Sequence, residues 1–200
     1  MFTGIVSAVG TLASVKSRGE LKRLRIAGRY PARSIAIGAS IAVNGICLTV
    51  VAKGKRGRAS WFEVEAGVET LARTTAGEWE ESRKLNLERA IKAGDEFGGH
   101  MVTGHIDGIA EIRKRDDVRD MARLVVRSPS HLARFIAPKG SVTLDGISLT
   151  VNAIEDADFS LLLIPHTLAA TAWSDIAAGA KVNLEVDLVA RYVARLAEAH

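Results

Sequence analysis

Cysteine is almost missing from this 200-residue chain: Cys47 stands alone, so no intrachain disulfide can form and a reducing compartment is expected. Long apolar runs are missing as well. No stretch approaches the roughly eighteen consecutive apolar residues that a membrane helix needs, so a helical span is excluded. Met1 to Val6 has neither a basic lead nor a long apolar core, so it does not read as a signal peptide. Aromatic residues make up only 5% of the chain. The net charge of +4 comes from scattered cations (Lys16, Arg18, Lys22, Arg23, Arg56, Arg58, Arg113, Arg127) mixed with acids. A dense basic stripe with stacking rings is lacking, so no nucleic-acid partner is expected.

Several catalytic signatures are also missing. There is no Gly-x-Gly-x-x-Gly between a strand and a helix, no Walker phosphate loop and no Gly-x-Ser-x-Gly elbow. His100 and His105 lie five apart, but no third ligand of suitable type is near them in sequence. No metal site is expected.

What the chain does contain is a repeat. Ser40-Ile-Ala-Val-Asn-Gly-Ile-Cys-Leu-Thr-Val50 returns as Ser141-Val-Thr-Leu-Asp-Gly-Ile-Ser-Leu-Thr-Val151. Met1-Phe-Thr-Gly-Ile-Val6 returns as Met101-Val-Thr-Gly-His-Ile106, and Lys84-Leu-Asn-Leu-Glu88 as Lys181-Val-Asn-Leu-Glu185. Glu69-Thr-Leu71 is echoed by His166-Thr-Leu168. The echoes keep their order at an offset of roughly a hundred residues, as an internal duplication does. Two similar domains imply two similar pockets, and hence a chemistry that needs two copies of one ligand.

Short runs rich in β-branched or large apolar residues dominate both halves: 41–51, 61–64, 141–154 and 159–164. With glycine punctuation, they predict a small antiparallel barrel in each half. Asn44-Gly45 and Asp145-Gly146 read either as tight turns or as a glycine bend at a barrel corner. Short helical pieces are expected at 30–36 and 130–136. Lys53 to Arg58 reads as a basic hairpin tip on the surface. The tail differs, because Leu188, Val189, Tyr192, Val193 and Leu196 form an apolar helical stripe with no counterpart in the first half. Such a stripe either folds back or packs against other subunits, and oligomerisation is favoured.

Matched positions differ in a telling way. Ile5 stands opposite His105, Cys47 opposite Ser148, and Asn44 opposite Asp145, within frames that are otherwise kept. That pattern fits two pockets that bind one molecule and use it differently. The bland alternative is that His105 ends a strand and Cys47 is a small core residue.

These motifs resemble those of riboflavin synthase of the α-chain type, built from two lumazine-binding repeats. The resemblance rests on Met-Phe-Thr-Gly-Ile-Val at the start, Asn-Gly-Ile-Cys-Leu-Thr-Val at 44–50 and Phe-Gly-Gly-His-Met-Val-Thr-Gly-His-Ile-Asp-Gly at 97–108. It rests further on Asp-Gly-Ile-Ser-Leu-Thr-Val at 145–151, Ile-Pro-His-Thr-Leu at 164–168 and Val-Asn-Leu-Glu-Val-Asp at 182–187. It implies a mainly β fold of two tandem six-stranded antiparallel Greek-key barrels, with short helices and a C-terminal α-helix. The implied domains are 1–97, 98–187 and a trimerisation helix at 188–200. The implied reaction is the dismutation of two 6,7-dimethyl-8-ribityllumazine molecules to riboflavin and a pyrimidinedione, without cofactor or metal, in a cytoplasmic homotrimer.

Carried over by position, the first pocket takes Phe2, Gly4, Ile5, Val6, Cys47, Leu48, Thr49, Glu65, Ala66, Gly67, Val68, Glu69 and Thr70. The second takes Gly104, His105, Ile106, Lys139, Ser148, Leu149, Thr150, Leu162, Leu163, Ile164, Pro165, His166 and Thr167. For catalysis the resemblance points to His105, Ser148, Thr150 and Asp187, faced by Ser40, Cys47 and Thr49 of a neighbour. His105 is the expected proton carrier, since an unperturbed imidazole titrates near about 6.5. His100 is expected to be structural. One departure is Ala66-Gly-Val-Glu-Thr-Leu71, where the family commonly has Met-Pro-Glu-Thr-Leu. A competing reading is a carrier that binds a lumazine or flavin without turnover.

Overall fold

Alternation of buried and more exposed residues marks the longer strands of the computed structural model, which describes residues 1–57 and 59–198, while four short strands are buried on both faces. In the first half these are β1 (Ala8–Arg18), β2 (Leu21–Gly28), β3 (Ser40–Val43), β4 (Ile46–Arg56), β5 (Ala59–Ala66) and β6 (Lys84–Arg89). They close into an antiparallel barrel in the order β1-β2-β5-β4-β3-β6, with β6 returning to β1. Leu12, Leu24, Ile26, Val43, Val50, Phe62, Val64, Leu85 and Leu87 fill it.

The second half repeats the plan with β7 (Gly108–Val118), β8 (Met121–Arg127), β9 (Ser141–Leu144), β10 (Ile147–Thr150), β11 (Ala153–Glu155), β12 (Asp158–Leu163) and β13 (Lys181–Val186). Its order is β10-β9-β13-β7-β8-β12-β11, a barrel-like sheet left open between β10 and β11. Those two short strands stand where the first half has the single long β4. At the equivalent point β4 carries only a register shift between Val50 and Ala52. Asn152 in place of Val51 is a poor strand former, and there the ladder breaks. So the second repeat is less fully closed than the sequence implies, though the mainly β architecture is as expected.

Asn44-Gly45 and Asp145-Gly146 are the tips of two-residue hairpins. Both residues of each pair have positive φ (43° and 78°, 45° and 78°), and Val43 pairs directly with Ile46. That is the type I′ geometry that matches strand twist. The hairpin reading holds over the corner bend. The helical pieces expected at 30–36 and 130–136 are 3-10 turns at Ala32–Ser34 and Ser130–Phe135. Two six-residue helices, α1 (Val68–Arg73) and α2 (Pro165–Ala170), follow β5 and β12. The basic tip lies at the β4–β5 turn with Lys55, Arg56 and Gly57 exposed, and Arg58 lies outside the described residues. The C-terminal stripe forms α3 (Leu188–Ala197), while residues 199–200 of the expected helix lie outside the described residues. Among the described residues no helix is long and apolar enough to cross a membrane.

The two sheets meet about an approximate two-fold axis. Phe2 and Val102 bridge across it as an antiparallel pair. Farther along, Asn86 Nδ2 donates to the carbonyl of Asp145 (3.0 Å), and Asn183 Nδ2 donates to that of Asn44 (2.9 Å). Thr75 N donates to Asn183 Oδ1 and Ala172 N to Asn86 Oδ1. The repeated Asn in Leu-Asn-Leu-Glu and Val-Asn-Leu-Glu is therefore an interface residue in both copies.

Candidate functional site

Pairing within each hairpin decides which side chains leave the barrel. Ser40 lies opposite Thr49 and Ala42 opposite Cys47, so these four share the outer face of the first barrel while Ile41 and Leu48 point inward. In the second repeat Ser141 lies opposite Thr150 and Thr143 opposite Ser148, giving a matching outer face. The expected catalytic hydroxyls and the thiol thus fall on two equivalent patches. Thr49 and Thr150 are exposed, and Cys47 and Ser148 are half-buried.

Each patch is roofed by a loop from the other repeat. The carbonyl of Gly4 accepts from Ser148 N (2.8 Å), and that of Gly104 accepts from Cys47 N (2.9 Å). A Cβ on Gly104 would lie 2.6 Å from Cys47 Cβ, and one on Gly4 would lie 2.7 Å from Ser148 Cβ. Both glycines have positive φ, so only a residue without a side chain permits the approach. The sequence groups His105 with Ser148 and Thr150, and Gly4 to Val6 with Cys47 and Thr49; within one chain the structure crosses these pairings. His105 is exposed beside the Cys47 patch, while Ile5 is exposed beside the Ser148 patch. The cause is the two-fold arrangement, in which the segment ahead of each first strand reaches across the axis.

Two carboxylates hold those loops. Glu88 Oε1 accepts from Thr3 N (2.7 Å) and Thr3 Oγ1 (2.9 Å), and its Oε2 accepts from Gly4 N (3.0 Å). Glu185 does the same for Thr103 N (2.8 Å), Thr103 Oγ1 (2.6 Å) and Gly104 N (2.9 Å). Burial pushes both carboxyls above the ordinary glutamate value, and the loop hydrogen bonds oppose that rise.

His100 is the residue that sequence reasoning undervalues. Its Nδ1 lies 2.7 Å from Ser148 Oγ and its Nε2 lies 3.1 Å from Thr143 Oγ1. Burial holds its imidazole below the usual value, with the Asp187 carboxylate pulling the other way. A neutral His100 has one donor nitrogen and one acceptor nitrogen, enough to orient the Ser148 hydroxyl. Nothing in the repeat marks it, since its contacts arise from pairing across β9 and β10.

Other expected pocket residues divide by orientation. Phe2 is fully buried with Ala42 and Val102, and Cys47 packs against this cluster. It therefore supports Cys47 from behind and offers no surface to a ligand. Leu48, Ala66, Leu149 and Leu163 point into the cores, so only their backbones face outward. Val68, Glu69, Leu162, Ile164, Pro165 and His166 are exposed, and Val6, Glu65, Gly67, Thr70, Ile106 and Thr167 are half-buried. His166 lines a cavity of about 430 Å3 with Val6, Ser7, Val9 and Arg29. Ser40 lines another of about 410 Å3 with Ile35, Ala39, Ile41, Arg89 and Lys92. Lys139 is exposed at a turn of positive φ, its amide bound to the carbonyl of Val151. Asp187 caps α3, its Oδ1 accepting from Val189 N (2.8 Å). Among the described residues no three His, Cys, Asp or Glu side chains cluster as metal ligands.

Helix α3 is tied down on one side only. Arg191 pairs with Asp107 (2.7 Å) and Arg134 with Glu198 (2.9 Å). On its other side Val189, Tyr192, Val193 and Leu196 are between 60% and 69% exposed. Four apolar side chains on one face of the helix thus form an exposed apolar patch.

Comparison with known proteins agrees with this duplicated arrangement. The family profile described as a lumazine binding domain matches residues 3–90 and again 103–187. Riboflavin synthase of Brucella abortus (strain 2308) is 53% identical over 99% of this chain and 98% of its own. That of Photobacterium phosphoreum is 40% identical over 98% and 88%. The crystal structure of LumP complexed with riboflavin superposes with a TM-score of 0.82 at 25% identity, covering 93% of this chain and 99% of LumP.

Proposed function

The chain belongs to the riboflavin synthase family, and we propose that its catalytic site forms where the outer face of one subunit's first barrel meets that of a neighbour's second. The reaction is the dismutation of two 6,7-dimethyl-8-ribityllumazine molecules, in which a four-carbon unit passes from one ring to the other. Riboflavin and 5-amino-6-ribitylamino-pyrimidinedione result. The observation that carries the site assignment is the pair of matched but chemically unequal patches, Ser40/Cys47/Thr49 and Ser141/Ser148/Thr150. Two equal cradles bind two equal molecules, and the unequal side chains let one ring act as donor and the other as acceptor.

Holding the rings face to face supplies the largest share of the rate, since well-oriented partners gain about 7–11 kcal/mol over free encounter. Proton transfer by side chains adds about 10²–10⁴-fold. The backbones of 65–70 and 162–167 pair with the dione edges, and Thr49 and Thr150 offer hydroxyls to the ring systems. His105, beside the Cys47 patch, carries protons to and from the donor's acidic methyl group. Cys47 lines the first pocket. Ser148, aligned by His100, and Asp187 serve the second pocket.

The chain divides into a first barrel (1–97), a second (98–187) and a C-terminal helix whose apolar stripe joins three subunits in the cytoplasm. Incubation with the lumazine alone tests this reading: riboflavin and the pyrimidinedione should appear in equal amounts. A stoichiometric coloured complex without turnover would instead favour the carrier. Sedimentation velocity should report a trimer, and a fully active monomer would defeat the intersubunit site.

A further inference from the structure

Each loop-holding glutamate lies in one repeat, yet the strand amide it governs lies in the other. Glu88 is buried on β6 and spends both oxygens on Thr3 and Gly4. Gly4 then turns its carbonyl to Ser148 N in the second repeat. Glu185 on β13 holds Thr103 and Gly104 in the same way, and Gly104 turns its carbonyl to Cys47 N in the first. Those two amides need such a partner. Pairing between β4 and β5 begins only at Val50, so Cys47 has no strand on that side. Ser148 is likewise paired only with β9.

We propose that Glu88 and Glu185 are crossed positioning residues: Glu88 sets the place of Ser148, and Glu185 sets the place of Cys47. Each glutamate fixes a Thr-Gly loop through three donors, and the loop fixes a strand through one carbonyl. Two of the three groups directed at the carboxyl are backbone amides that can only donate, one to each oxygen, and both carboxyl oxygens can accept them. The amide of a glutamine would face Gly4 N or Gly104 N with a donor of its own. The glycine's positive φ and missing Cβ then bring its Cα against the side chain being positioned. Duplication has made the relay reciprocal, so each repeat's reactive patch depends on a carboxylate in its twin. A loop displaced by about 1 Å is enough to lower turnover about a hundredfold.

The relay itself is visible without substrate, because Cys47 is the sole thiol. Its alkylation rate by iodoacetamide reports how closely the Gly104 loop covers it. The catalytic consequence, by contrast, rests on the site placement proposed above. Glu185→Gln should speed Cys47 alkylation by about tenfold or more, since a hydrogen bond to a charged acceptor is lost. Glu88→Gln disturbs the other loop and reaches Cys47 only through Ala42 and Phe2, so it should change that rate by clearly less than Glu185→Gln does. Thr103→Val, which removes one hydroxyl bond and keeps the carboxylate, should move the rate in the same direction by less. It carries the test if Glu185→Gln fails to fold. Equal effects of the two glutamine variants, or no effect of Glu185→Gln or Thr103→Val, would overturn the relay. Both glutamine variants should also slow turnover about a hundredfold. Normal turnover beside a fast-reacting Cys47 would leave the relay standing and refute the placement of Cys47 at the reacting centre.

Discussion

Gly45 and Gly146 meet back to back on the axis between the repeats: a Cβ on Gly45 would lie 2.7 Å from Gly146 N, and one on Gly146 would lie 2.8 Å from Gly45 N. Both have φ of 78°. Alanine at either position therefore meets immovable backbone and an unfavourable conformation together. Gly146→Ala should cost about 2–4 kcal/mol, read as a lower denaturant midpoint. Gly19→Ala, also at positive φ but with open space around it, should cost about 1 kcal/mol.

Asp145 makes stability depend on pH. Its Oδ1 accepts from Asn183 N (2.9 Å) and its Oδ2 from Trp173 Nε1 (3.1 Å). Burial pushes its carboxyl from 3.8 up to about 6, against those bonds and the charge of Arg83. The folded protein thus holds this proton more tightly than the unfolded chain does. The contribution is fully present below about 3.8 and is lost as pH rises to about 6. A shift of that size corresponds to about 3 kcal/mol. Glu88 and Glu185, raised in the same direction, add to the trend. Asp145→Asn should flatten unfolding free energy across this window, as measured by urea titration at several pH values. An unchanged slope would contradict the assignment.

Phe2 packs wholly within the small cluster behind Cys47. Phe2→Ala should cost about 3–5 kcal/mol by opening a cavity between the repeats. Differential scanning calorimetry would show the loss as a lower Tm without any change of ligand.

The stripe on α3 is exposed, so charging it should spare the subunit fold. Val193→Glu with Leu196→Glu should change unfolding by no more than about 0.5 kcal/mol per site if the subunit stands alone. Sedimentation velocity should show the assembly lost, and turnover with it. Removing 188–200 should likewise cost more activity than His105→Ala or Cys47→Ser. Equal or greater loss from either point variant would contradict that ordering.

Much of the fold was legible because duplication repeats its own marks. The Ser40–Val50 and Ser141–Val151 segments announce two equivalent hairpins, and the I′ turns follow from Asn-Gly and Asp-Gly flanked by strand formers. The amphipathic tail is legible from its spacing alone. Orientation is harder to read. Phe2 looks like a pocket residue from its place in a motif, yet no pattern says that Val102 covers it. His100 looks idle because its partners, Thr143 and Ser148, are more than forty residues away.

The amino-acid order by itself determined two β repeats, their matched hydroxyl and thiol positions, and a helix left without a twin, because local spacing dictates strand, turn and helix. Only the tertiary structure decided which repeat's loop roofs which patch. Docking two copies about an axis sends Gly4 to Ser148 and Gly104 to Cys47, a crossing that depends on the relative placement of whole sheets and leaves no local trace.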